Sequence, residues 1–180
     1  MALRGSSARR YAESVFAIAK EQNSFDAWLD DLGTLRGVFT NPDMRRLLDD
    51  PKPSPADKEA VVQQVLHGKV DRLAVNLAIL LIRREQVAAA AGIEREFLGM
   101  VNDYRNVAVA DVTTALELDP TQRQLVKQRL EILTAKTIDL KTHVDTSILG
   151  GFVARVGDVL IDATLKTKLA NLRQNLLAHT

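Results

Sequence analysis

Side chains that do chemistry are thinly spread along this chain. Its three histidines, His67, His143 and His179, stand far apart, and none has a second ligand at a metal-binding spacing. There is no cysteine, which excludes a thiol nucleophile, a disulfide and a thiolate metal site. Asp158 and Asp162 would be the pair for general acid–base work. Each has a structural explanation instead: Asp158 follows Gly157 in a turn dipeptide, and Asp162 precedes a helix as its cap. Gly151–Gly157 lacks the Lys-Ser/Thr ending of a phosphate loop, no G-x-G-x-x-G follows a strand, and no G-x-S-x-G appears. The basic pairs Arg9-Arg10, Arg45-Arg46 and Arg83-Arg84 read as solvated helix faces. The sequence therefore predicts no catalytic residue, no metal and no cofactor.

What stands out instead is Val70–Ile82, VDRLAVNLAILLI. At ~100° per residue, Leu73, Leu77, Leu80 and Leu81 fall on one side of a helix, and Val75, Ile79 and Ile82 on the other. Ala74 and Ala78 lie between, and Asn76 alone breaks the apolar surface. Such a helix is buried, but it is too short to cross a bilayer, which takes about 20 apolar residues. It is either the centre of a bundle or a helix packed on one side and kept for a partner on the other. A chain without a chemical site and with a helix this apolar favours a binding or scaffolding protein over an enzyme.

Composition narrows the classes further. A length of 180 residues holds one domain or two small ones, and 46% hydrophobic content argues against disorder. Aromatics are only 4%, so cores are aliphatic and base-stacking platforms are not expected. Lys+Arg is 24 against 23 Asp+Glu, a net +1 that gives no footprint for nucleic acid or an anionic membrane. The lack of cysteine fits a cytoplasmic protein. MALRGSSARR is basic and acid-poor, but no apolar segment of a signal peptide follows it and the helical pattern starts by Ala8.

Up to Asn106 the pattern is helical. The first helix carries a stripe of Ala8, Ala12, Phe16 and Ala19, extended on one edge by Tyr11, Val15 and Ile18. Ser24 can cap a second helix with Phe25, Trp28, Leu32, Leu35 and Phe39 inward. Asn41-Pro42 and Ser54-Pro55 are cap-and-proline starts of a third and a fourth helix, separated by the helix-breaking DPKPSP. The fourth presents Val61, Val62, Val65 and Leu66 and ends at Gly68. The fifth is Val70–Arg84. The sixth runs from about Val87 to Asn106, with Ile93, Phe97, Met100, Val101 and Tyr104 inward. This predicts a six-helix domain over residues 1–106.

At Val107 the texture changes. VAVADVTTALEL alternates and is rich in β-branched residues, as a strand is. Asp119-Pro120 starts a helix with Leu125, Leu130 and Leu133 inward, and TIDLKTHVD is a strand with Ile138, Leu140 and Val144 on one face. Gly150-Gly151 precedes two short strands joined by a Gly157-Asp158 turn. A last helix presents Leu165, Leu169, Leu172 and Leu176. The order predicts a small α+β domain over residues 107–180, and an α+β chain as a whole.

The C-terminal run GGFVARVGDVLIDATLKTKLANL resembles the signature of the delta subunit of bacterial and chloroplast F-type ATP synthase, the family of the mitochondrial oligomycin sensitivity conferral protein. Gly150, Gly151, Gly157, Asp158, Asp162, Leu169 and Leu172 stand at that pattern's spacing. Thr164 and Ala163 replace its usual Ser or Gly, a mild departure. The start, ARRYAESVFAIAKE, is similar to the family's first helix.

The resemblance implies a non-catalytic peripheral-stalk subunit of a hetero-oligomer, at the cytoplasmic face of the bacterial cell membrane without inserting into it. Its helical domain would bind N-terminal segments of alpha subunits, and its C-terminal domain the C-termini of b-type stalk subunits. An apolar trough for an alpha helix is then expected between the first and fifth helices, walled by Tyr11, Val15 and Ile18 and by Val75, Ile79 and Ile82. The alternative is a helical nucleic-acid-binding adaptor with an appended α+β domain, against which the missing basic stripe counts.

Overall fold

The computed structural model describes residues 3–178 and is an α+β protein. The helices α1 (Leu3–Gln22), α2 (Phe25–Thr40), α3 (Pro42–Asp49), α4 (Pro55–Leu66), α5 (Arg72–Arg83) and α6 (Ala90–Tyr104) come first, with a 3-10 turn at Val87–Ala89. Then follow β1 (Val107–Thr114), α7 (Pro120–Thr134), β2 (Thr137–Val144), β3 (Phe152–Val156), β4 (Val159–Asp162) and α8 (Leu165–Ala178). The chain divides into two compact units, Met1–Val101 and Asn102–Thr180. The division falls inside α6, whereas the sequence pattern changes only after the helix ends.

Several helices start where their caps dictate. The Asn41 side chain accepts the N–H groups of Asp43 and Met44 at 2.9 and 3.3 Å. Ser54 with Asp57, and Asp119 with Gln122, form reciprocal capping boxes. Asp71 accepts from the Leu73 N–H at 2.8 Å. Ser24 does not cap α2: at ψ 34° it is not extended, and its buried hydroxyl finds no partner. Gly68 takes the left-handed conformation, φ +71°, just past α4.

The first core draws on α1, α2, α4, α5 and α6, with all five inward residues of α2 buried as their spacing predicts. On α1 the buried stripe is Ala8, Ala12, Val15 and Ala19, a three–four spacing that puts Val15 at its centre. Phe16 moves to the edge, where its ring lies tilted at 5.4 Å from that of Phe25 and edge-on at 6.3 Å from that of Phe97. On α5 the buried set is Ala74, Leu77, Ala78, Leu81 and Ile82. The inner line is thus centred on two alanines, which let neighbours approach closely. The larger residues splay to both flanks: Leu73 and Leu80 on one, Val75 and Ile79 on the other. Leu80, expected inside, is 40% exposed. Val61 and Tyr104, also expected inside, are exposed at the margins of their stripes.

In the second unit the sheet order is β2-β1-β3-β4. β1 and β2 are parallel and joined through α7, while β1–β3 and β3–β4 are antiparallel. One face holds Ala110, Val112, Ile138, Ala154 and Val156 against Leu130 of α7. The other carries the alternate residues Asp111, Asp139, Lys141 and Arg155, all exposed. α7 meets this small sheet by a narrow stripe, Val126 and Leu130, so Leu125 and Leu133 stay outside it, 61% and 56% exposed. β1 stops at Thr114, whose hydroxyl donates to the Leu116 carbonyl at 2.7 Å. Leu116 and Val144, expected in strand faces, are exposed.

Candidate functional site

Neither carboxylate of the conceivable acid–base pair faces a chemical site. Asp158 is exposed in the β3–β4 turn, where Gly157 has φ +59° and Val156 pairs with Val159. That is the Gly-first turn suited to a two-residue hairpin. Asp162 does not itself cap α8, because Thr164 holds that position and accepts the Thr167 N–H at 3.3 Å. Asp162 stands behind it, accepting the Thr164 N–H at 2.9 Å on one oxygen and the Thr167 hydroxyl at 2.8 Å on the other. These bonds, led by the Thr164 N–H, hold its carboxyl below the usual range. The opposite case is Asp31, which accepts the Asp71 N–H at 3.1 Å. Burial first, then the charges of Asp71 and Asp30, raise its carboxyl above the usual range.

Among the described residues no cluster of three or more acidic or histidine side chains is arranged to hold a metal ion. His143 lies 3.7 Å from Asp111 on the open face of the sheet, and both are well exposed. His179 lies outside the described residues.

What the fold does present is uncovered apolar surface. In the first unit, α1 packs on α2 and the 3-10 turn, and α5 packs on α4, α2 and the same turn. Of the six residues expected to wall a trough, Val15 and Ile82 are buried in the core, 3% and 8% exposed. They are core residues and not lining of a trough. Tyr11, Ile18, Val75 and Ile79 are half-buried, and the first three pack on the rim of the core. A separate apolar cavity of about 510 Å³ opens among α2, α3 and α4, lined by Gly37, Val38, Met44, Leu47, Val61 and Val65.

In the second unit, Leu165, Leu169 and Leu172 form a row along α8, each at least half exposed. Leu176, the fourth of that row in the sequence, is not among the described side chains. Leu165 leans on Gly150, which with Gly151 lines a cavity of about 590 Å³ together with Leu116, Leu125 and Phe152. The leucine row and the cavity therefore adjoin. Gly150 and Gly151 have φ +148° and +82°; a side chain on Gly150 would meet the Leu165 side chain, and Gly151 has no room for one against the backbone of the β4–α8 connection. The leucine spacing shows in the sequence, but spacing marks a face without saying what covers it.

Known proteins give this arrangement its context. Residues 8–176 match the family described as ATP synthase delta (OSCP) subunit. The chain is 31% identical to the ATP synthase subunit delta of Desulforamulus reducens over 99% of both chains. It is 36% identical to that of Anaeromyxobacter sp. strain K, over 97% of this chain and 98% of the other. Its fold matches a chain of the mitochondrial ATP synthase hexamer of Toxoplasma gondii with a TM-score of 0.62 and 26% identity, covering 98% of each. With the match running through both units, the chain belongs to the ATP synthase delta (OSCP) subunit family.

Proposed function

We propose that this chain is the stator subunit that joins the F1 head of a proton-translocating F-type ATP synthase to its peripheral stalk. As a family member it is a non-catalytic subunit of that enzyme. The observation that carries the reading is the match over residues 8–176, which spans both units and so brings over the role of the whole subunit.

In this reading residues 1–106 form a six-helix bundle that holds N-terminal segments of alpha subunits, and residues 107–180 hold the C-termini of b-type stalk subunits. The complex keeps the chain at the cytoplasmic face of the membrane, and none of the described helices is long and apolar enough to cross it. A stator joint must stay bound under torque. Contacts between exposed charges are screened by salt, so the affinity has to come from apolar surface withdrawn from water. The half-buried Tyr11, Ile18, Val75 and Ile79 supply such surface in the first unit, and the α8 leucine row supplies it in the second.

Pull-down of the tagged chain from detergent-solubilised membranes tests the reading directly. Co-purification of alpha and b-type subunits that survives high salt is expected. Recovery of RNA without them, lost at high salt, would overturn it in favour of a nucleic-acid adaptor.

A further inference from the structure

None of the described side chains of α8 enters the buried core of its unit. Its leucines Leu165, Leu169 and Leu172 are 50%, 66% and 56% exposed. The buried core of its unit is made by β1, β2, β3 and α7, with no described side chain of α8 in it. A helix of 14 residues without tertiary packing is marginal in water.

Among the described residues, the hydrogen bonds that tie this helix to the preceding chain lie at its first turn. Both Asp162 oxygens are engaged there, by the Thr164 N–H and the Thr167 hydroxyl. Thr164 accepts the Thr167 N–H in turn, and the Leu165 N–H donates to the Gly150 carbonyl at 3.0 Å. Gly151 lies directly under the Ala163 carbonyl and leaves this turn no space to shift toward the sheet. The leucines project from a turn fixed on two sides.

We propose that Asp162 is the positioning residue of the stalk-binding surface: with Thr164 and Thr167 it fixes the first turn of α8, so that the Leu165–Leu169–Leu172 row meets an incoming amphipathic helix already formed. The inference rests on the reading that this row takes the stalk helix. Its physical content is preorganisation. A helix ordered before contact avoids the conformational entropy that a segment folding on its partner loses at that moment. The low pKa of the Asp162 carboxyl agrees with this, since the same bonds that hold the turn stabilise the charged form.

The test uses the full chain, amide hydrogen exchange, and calorimetry with a synthetic peptide of the C-terminal segment of the b-type subunit. In Asp162→Ala, the α8 amides should exchange about tenfold faster while β1 and β3 stay protected. Peptide affinity should fall by about tenfold in the same variant. Asp162→Asn keeps an acceptor for the Thr164 N–H and should restore most of both. Leu169→Ser should weaken the peptide without changing exchange. Unchanged α8 exchange in Asp162→Ala, or loss of protection across the sheet, would overturn the positioning role. So would faster exchange with undiminished affinity. Full affinity in Leu169→Ser would overturn the docking reading itself, and the proposal with it.

Discussion

Gly151 lies so close under the backbone of Ala163 that a β-carbon on it would stand 2.4 Å from the Ala163 carbonyl oxygen and 2.9 Å from the Thr164 Cα. Backbone atoms cannot swing aside as a side chain can. The glycine also has φ +82°, which L side chains rarely adopt. Gly151→Ala should therefore destabilise the second unit by about 2 kcal/mol or more, by overpacking and backbone strain together. Thermal unfolding of the two units, followed by exchange of β3 against α2 amides, checks this. Wild-type protection in β3 would show that the β4–α8 connection yields.

Gly157 is the contrasting case. A β-carbon there would meet nothing within 4 Å, so only its φ of +59° resists substitution. Gly157→Val should cost about 1 kcal/mol, all of it from the backbone. The loss should thus be smaller than for Gly151→Ala. Equal losses, read from urea midpoints, would mean that the turn is not what limits the hairpin.

Where such features were legible in the sequence, they were local. Asn41, Ser54 and Asp119 act as caps because the side chain and the N–H it accepts lie within three residues of each other. Gly157 and the inner row of α2 belong to the same class. The faces of α5, α7 and α8 were not legible in the same way. On α5, periodicity set Leu80 on one side with Leu73, Leu77 and Leu81, and Ala74 and Ala78 between the two sides, whereas the buried line runs through Ala74 and Ala78 and leaves Leu80 outward. On α8 the spacing marked Leu165, Leu169 and Leu172 as one row, but it could not show that each stays at least half exposed. Ser24 shows the reverse failure. It is a good cap by type, but the tight turn after α1, where Asn23 has φ +50°, leaves it in the wrong conformation.

Two carboxylates should give opposite pH signatures. The folded-state pKa of Asp162 is depressed, so its contribution to stability is present above the ordinary carboxylate range and is lost as pH falls below that range through the depressed folded pKa. Asp31 is raised, mainly by burial, so its charge opposes folding at neutral pH and that opposition lifts as pH falls. Asp162→Asn should melt somewhat below wild type at pH 7, with the difference shrinking as pH falls below the ordinary carboxylate range. Asp31→Asn keeps an acceptor for the Asp71 N–H and should melt at or above wild type at pH 7. Melting curves at pH 7 and below that range decide it; a lower melting temperature for Asp31→Asn at neutral pH would contradict the assignment.

The proposed alpha-binding trough makes the last prediction, and the burial of its residues says where to probe it. Ile79 and Ile82 sit on the same helix one turn apart, but Ile82 is 8% exposed inside the core while Ile79 is half-buried on the outer flank. A carboxylate at Ile82 would be desolvated in the folded chain itself. Ile82→Asp should therefore unfold the first unit, as placing an unpaired charge in a core does. A carboxylate at Ile79 retains water until a partner arrives. Ile79→Asp should leave the melting temperature within a few degrees of wild type. It should still weaken binding of a peptide from the alpha N-terminus by about 2 kcal/mol, the loss expected when a charge enters the centre of an apolar contact. Tyr11→Ala, on the α1 side of the proposed trough, should weaken the same peptide without unfolding the chain. Calorimetric titration of the three variants separates the cases. If Ile79→Asp unfolds like Ile82→Asp, the flank belongs to the core and α5 has no free face there. If it folds and binds as wild type, the alpha segment lies elsewhere, and the cavity lined by Val38, Met44 and Leu47 becomes the next place to probe.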